Sequence, residues 1–127
     1  MSLQLGFFPQ FKDADAVLLS GTASDIANLS AQLGVFVASA DPSFSIHNLA
    51  QVSARNPTRL FVSRLPQSPA LEFLWLCPPS ELDSIRGKLS ALANSGSGHQ
   101  YFNLAGSSTD LIVSVGEYDE SWWQRAG

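Results

Sequence analysis

Apolar positions recur along the chain with two periods, and the change from one to the other marks out its elements. They fall at Ile26, Leu29, Leu33 and Phe36, and again at Leu82, Ile85, Leu89 and Leu92. Steps of three and four residues place each set on one stripe of an α-helix, because a helix turns once every ~3.6 residues. Start signals precede both stripes. Thr22-Ala23-Ser24-Asp25 and Ser80-Glu81-Leu82-Asp83 each offer a hydroxyl for a free backbone N–H and an acid for the positive end of the dipole. Pro78 and Pro79 sharpen the second start. The first helix is predicted to end near Ser39, before Asp41-Pro42, and the second near Asn94, where Ser95-Gly96-Ser97-Gly98 supplies left-handed capping conformations.

Shorter runs rich in β-branched and aromatic residues predict strands over residues 17–20, 44–49, 59–64, 71–76 and 110–115, with 100–104 and 3–8 as two more. The order is strand-strand-helix-strand, twice, then a final strand. It predicts an α+β fold: a mainly antiparallel sheet with two amphipathic helices on one face.

The two halves also share residues in order. Pro9-Gln10 returns as Pro66-Gln67, the helix stripes match 56 residues apart, and Asn48-Leu49-Ala50 returns as Asn103-Leu104-Ala105. Constant order with slowly drifting register predicts an internally duplicated unit, repeat 1 about 3–57 and repeat 2 about 58–115, with a tail over 116–127, all in a single domain. Asn-Leu-Ala would then mark a corner at the end of a strand, and each copy would cover the apolar face of the other.

Composition narrows the function classes. With 45% apolar and 14% charged residues the chain can bury a core. One cysteine, Cys77, excludes an internal disulfide or a multi-cysteine zinc site. A net charge of −4, with Arg55, Arg59 and Arg64 the one concentration of basic residues, argues against nucleic acid. The N-terminus lacks a secretory pattern, and no stretch approaches the ~18 apolar residues of a membrane span, so a cytoplasmic protein that does not engage membranes is expected.

Candidate chemistry is sparse. Aligned on Asn-Leu-Ala, His47 faces Phe102 and His99 faces Phe44, so the histidines are not equivalent. No metal site, no cofactor and no catalytic residue is assigned. Cys77 sits between an apolar run and a helix start; burial, which raises a thiol pKa, is expected to outweigh the helix dipole, which lowers it. The glycine-rich stretch 94–99 leaves a helix C-terminus, the wrong sign for a phosphate, and residues 105–110 read as a turn. The tail carries Glu117, Tyr118, Asp119, Glu120, Trp122 and Trp123. It is either a flap over the core or a partner-binding surface whose acids steer a basic protein.

An amphipathic helix followed by GHQYFNLAG (98–106) and DLIVSVGEY (110–118) resembles small bacterial immunity proteins of polymorphic-toxin systems. The likeness covers chiefly Leu82 to Tyr118, and Gly98, His99 and Tyr101 prompt it. It implies a non-enzymatic protein-binding domain, a monomer or homodimer, that occludes a basic toxin domain. Two alternatives are kept. One is a small ligand-binding or enzymatic domain with a pocket between sheet and helices, using His99, Tyr101 and Glu117. The other is a structural module that dimerises through sheet edges.

Overall fold

The two longest strands come first. β1 (Leu3–Phe11) and β2 (Ala14–Gly21) pair antiparallel in a computed structural model that describes residues 3–11, 14–55, 58–63 and 73–126. α1 (Ala23–Ala38) follows, then β3 (Ser43–Ser45), a 3-10 turn at Ile46–Asn48, β4 (Val52–Ala54), β5 (Phe61–Ser63) and β6 (Leu74–Leu76). The chain continues through α2 (Pro79–Ser95), β7 (Gly98–Asn103), β8 (Asp110–Val115) and α3 (Glu120–Ala126). Five strands form one sheet, β4-β1-β2-β8-β7, and three form another, β3-β5-β6. The antiparallel pairs β1/β2, β3/β5 and β7/β8 join more residues than the parallel pairs β1/β4, β2/β8 and β5/β6. The fold is α+β.

Alternation along the strands decides what each face meets. Leu3, Leu5, Val17, Leu19, Leu111, Val113 and Val115 join both predicted helix stripes in one buried cluster, with Ile85 partly buried against it. The intervening residues Ala16, Leu18 and Ile112 pack instead with Trp123 in a second cluster. Thus α1 and α2 cover one face of the large sheet, and α3 crosses the other. Where α1 meets α2, Arg86 Nε donates to the Ser30 carbonyl at 3.1 Å. Its guanidinium lies over Gly34, where an added Cβ would come within 3.0 Å of it. A side chain at Gly34 would have to push the Arg86 guanidinium aside by a few tenths of an ångström.

Thr22 caps α1 with the full reciprocal arrangement: the Asp25 N–H donates to Thr22 Oγ1 at 3.2 Å, and Thr22 N–H donates to Asp25 Oδ2 at 2.9 Å. The second start differs from expectation. Pro78 is the cap residue of α2, without a side-chain bond, and Ser80 already lies inside the helix. Pro79 at the first helical position is pre-set in φ and has no N–H to satisfy, which moves the start forward. Gly96 ends α2 with φ of 80°, in the left-handed region that glycine tolerates.

The structure does not reproduce the duplication. Both helix stripes do face the same sheet surface. Yet β1 and β2 form an antiparallel pair inside the large sheet, whereas β5 and β6 run parallel in the small one. Parallel neighbours need a long crossover connection that a hairpin does not, so the two pairs cannot be copies of one folding unit. The Pro66-Gln67 part of the alignment, and Arg64, Leu71 and Glu72 at the predicted strand ends, lie outside the described residues. The strand expected over 44–49 stops at Ser45, because the chain tightens there into the 3-10 turn. In that turn His47 Nδ1 accepts the Leu60 N–H at 3.1 Å, tying the turn to the start of β5. Asn-Leu-Ala does fall at corners, after the 3-10 turn and after β7.

Candidate functional site

β2 and β8 lie side by side and parallel, from Ala16 opposite Asp110 to Gly21 opposite Val115. Beyond their shared carboxyl end the connections part. Gly21-Thr22 leads to α1 on one face, and Gly116 to Asp119 leads to α3 on the other. Adjacent parallel strands whose connections leave to opposite faces open a crevice at their carboxyl ends, a favoured place for ligands in sheets that carry helices. A cavity of about 590 Å³ occupies this point, within the usual ligand range of roughly 300–1,000 Å³. The strands contribute Gln4 and Ser20 to its wall, the start of α1 contributes Thr22 and Asp25, and the β8–α3 connection contributes Glu117 to Glu120. Trp123 closes one side.

Register sets the polar row from which Gln4 and Ser20 reach the cavity. Ser53, Gln4, Ser20, Ser114 and His99 are successive cross-strand partners, forming a polar row over all five strands on the α3 face. The next row along the strands, Gly6, Leu18, Ile112 and Tyr101, carries no charge, and Trp123 rests on it. Gly6 is required there, since an added Cβ would meet the Trp123 ring at 3.0 Å. Aromatic side chains close around it: Phe8 lies 5.6 Å from Trp123 and 5.4 Å from Trp122, and Tyr118 lies 4.6 Å from Trp122, centroid to centroid. The Arg55 guanidinium sits 5.7 Å over the Trp123 ring.

Trp123, expected on a partner-binding surface, is therefore a core residue, only 1% exposed. A large ring over a glycine in an apolar row releases more surface from water by packing than it could at a rim. Tyr118 and Trp122 are half-buried, and Glu117, Asp119 and Glu120 lie at the surface. Asp119 Oδ1 accepts the Trp122 N–H at 2.8 Å and so begins α3. The Trp123 indole Nε1 is buried and meets no acceptor among the described residues.

Of the proposed polar pocket, the structure joins His99 to Glu117 rather than to a cavity wall. His99 Nδ1 is 3.0 Å from Glu117 Oε1, Ser114 Oγ donates to that same oxygen at 2.7 Å, and the Tyr101 ring stands edge-on to His99 at 5.2 Å. Tyr101 instead borders a second cleft of about 390 Å³ between β6, α2 and β7. The Ser114 proton points to a carboxylate, not to the histidine, so the three groups are not in the serine–histidine–acid order. Cys77 is equally inert: burial, assisted by the Glu81 charge, pushes its thiol pKa from 9.0 up to about 12. Among the described residues no group of three or more His, Cys, Asp or Glu side chains could hold a metal, and no helix is long and apolar enough to cross a membrane.

Sequence reasoning missed Ser20 and Ser114 as site residues. Their signal was a serine near the end of an otherwise apolar strand, at Ser20-Gly21 and Ser114-Val115-Gly116, since a hydroxyl placed there needs a partner. Compared with protein-family models, curated proteins and solved structures, the chain gives no match.

Proposed function

We propose that this α+β chain is a non-enzymatic protein-binding domain of the immunity type, acting in the bacterial cytoplasm, which occludes a basic toxin domain. One observation carries the reading. Glu117, Asp119 and Glu120 neighbour the half-buried rings of Tyr118 and Trp122, along the connection into a short helix fixed from beneath by buried Trp123. Aromatic area held rigid loses little conformational freedom on binding, and surrounding acids steer a basic partner toward it. The order of Ser114, Glu117 and His99, which is not serine–histidine–acid, and the protonated Cys77 favour binding over catalysis. A second reading, a small-ligand domain, is favoured by the cavity between β2 and β8; its polar wall would be Thr22, Asp25 and Glu117 rather than His99 and Tyr101.

The test is co-expression with the product of the adjacent reading frame. Protection of the cells, together with a calorimetric affinity that weakens as salt is raised, is the expected result. Neither binding nor protection would overturn the reading. Loss of all activity in a folded His47→Ala, His99→Ala or Cys77→Ser variant would restore an enzymatic one.

A further inference from the structure

The cavity at the carboxyl ends of β2 and β8 has a charge and a shape, and Trp123 in its wall carries a buried N–H without an acceptor among the described residues; together they specify an occupant. We propose that it receives an arginine of the partner protein, with the guanidinium among the carboxylates and the adjacent backbone carbonyl accepting from Trp123. This rests on the protein-binding reading and adds the residue that enters.

Charge decides the sign. The described lining contains Asp25, Glu117, Asp119 and Glu120 and no lysine, arginine or histidine. The start of α1 also borders the cavity, and a bare helix N-terminus would draw an anion. That end is already occupied: Asp25 accepts from both Thr22 N and Thr22 Oγ1, each at 2.9 Å. A helix end carries about half a positive charge, Arg55 lies over the Trp123 ring and His99 pairs with Glu117, and the four carboxylates outnumber these positive groups. The cavity therefore attracts a cation.

Shape favours guanidinium over ammonium. Tyr118 and Trp123 give flat aromatic walls, and the carboxylates approach from the α1 side and the α3 side of the crevice. A planar guanidinium stacks on rings, presents five donors in one plane and is more weakly hydrated than an ammonium. Trp123 then separates a free guanidinium from one borne on a peptide. Its buried N–H lacks an acceptor among the described residues, and leaving such a donor unmet costs about 1–3 kcal/mol. Guanidinium has no acceptor atom, whereas the backbone of an arginine-bearing segment brings a carbonyl with it.

The experiment needs no partner. The ¹⁵N-labelled full chain is titrated with N-acetyl-L-arginine methylamide and, separately, with the citrulline counterpart, which keeps the shape and carbonyls but is neutral. The indole N–H signal of Trp123, assigned by its loss in Trp123→Phe, should move saturably with the arginine probe, and the citrulline probe should bind at least about tenfold more weakly. Asp119→Asn keeps an acceptor that can begin α3 and removes one charge, so it should weaken the arginine probe about three- to tenfold with the rest of the spectrum unchanged. No saturable shift, or equal binding of both probes, overturns the proposal. If the probe fails while the co-expressed partner still binds, the docking surface stands and only the cavity's role is lost. If the probe binds and the partner does not, the site stands and the immunity-type reading falls.

Discussion

The two faces of the five-stranded sheet are built from the same strands and covered in opposite ways. Beneath α1 and α2 the strands β1, β2 and β8 bury Leu3, Leu5, Val17, Leu19, Leu111, Val113 and Val115, with the half-buried ring of Phe7 packed against them. Beneath α3 the same strands present Gln4, Ser20 and Ser114 in one row and Gly6, Leu18 and Ile112 in the next. Helices of 16 and 17 residues seal the first face, and one of 7 residues lies on the second. Ser20 and Ser114 are nearly as inaccessible as the leucines, although a buried hydroxyl lowers stability unless it is bonded. Ser114 meets that requirement by donating to Glu117, and Ser20 lines the cavity, so the second face is the one that carries polar groups and open space.

The second face nonetheless contributes to folding, through Trp123. Trp123→Ala should destabilise the chain by about 3–5 kcal/mol in urea unfolding, because the ring is the largest group covering Leu18 and Ile112. Truncation after Gly116 should cost at least as much, since it removes α3 entirely. Leu89→Ala, at the seam between α2 and the sheet, should cost about 2–5 kcal/mol. A Trp123→Ala variant within about 0.5 kcal/mol of the parent, the range of an ordinary surface change, would return the tail to a loose appendage.

The first face was largely readable from sequence, and the second was not, for a physical reason. A long helix declares itself through many repeats of one period, so Ile26, Leu29, Leu33 and Phe36 point to their own burial. Asp110–Val115 and the turn at Gly96 were equally legible. α3 has too few residues for a period to emerge, and its fate depends on Gly6, more than a hundred residues earlier, leaving space for a ring. The three-residue strand β4 is hidden for the same reason, because it exists only through pairing with β1. The apparent duplication misled because similar local patterns, one helix stripe and one corner, can be embedded in different strand pairings. Glu117 and Tyr118 were legible as candidates, but the crevice they border depends on β8 lying parallel to β2, which no local pattern encodes.

The dryness of the first face can be titrated through Cys77, a member of its buried cluster. The folded thiol has a pKa of about 12, against 9.0 for an ordinary one. Below pH 9 both states hold the proton, and its stabilising effect is complete. As pH rises the unfolded chain ionises first, so stability falls until the folded pKa is passed. The loss should reach roughly 2–3 kcal/mol by about pH 11. Cys77→Ala should flatten the stability profile over that interval, and an unchanged profile would mean that water reaches the thiol.

At the boundary between the faces, Thr22→Ala removes the hydroxyl that receives the Asp25 N–H and one of the two Thr22 donors to the Asp25 carboxylate. The expected cost is about 0.5–2 kcal/mol. Thr22→Ser should restore most of it, because the bond rather than the methyl group is what caps α1. A variant that loses stability equally with Ser and Ala would place the contribution of Thr22 in packing against the cavity wall instead.

The smallest effect on folding should accompany a clear effect on association. Asp119 is unsuited to charge reversal, because it begins α3 through the Trp122 N–H. Glu120 is exposed in the first turn of that helix and lies on the cavity rim. Glu120→Lys should lower stability by no more than about 1 kcal/mol, the range for reversing a charge at an exposed helix start. It should also slow association with a basic partner and reduce the dependence of the rate on salt, leaving the dissociation rate nearly constant. The two observables separate the roles of the second face. A stability loss as large as that of Trp123→Ala would mean that the acids hold α3 in place. An unchanged association rate would mean that the partner approaches elsewhere, and the exposed edge strands β4 and β7 would become the next surfaces to test.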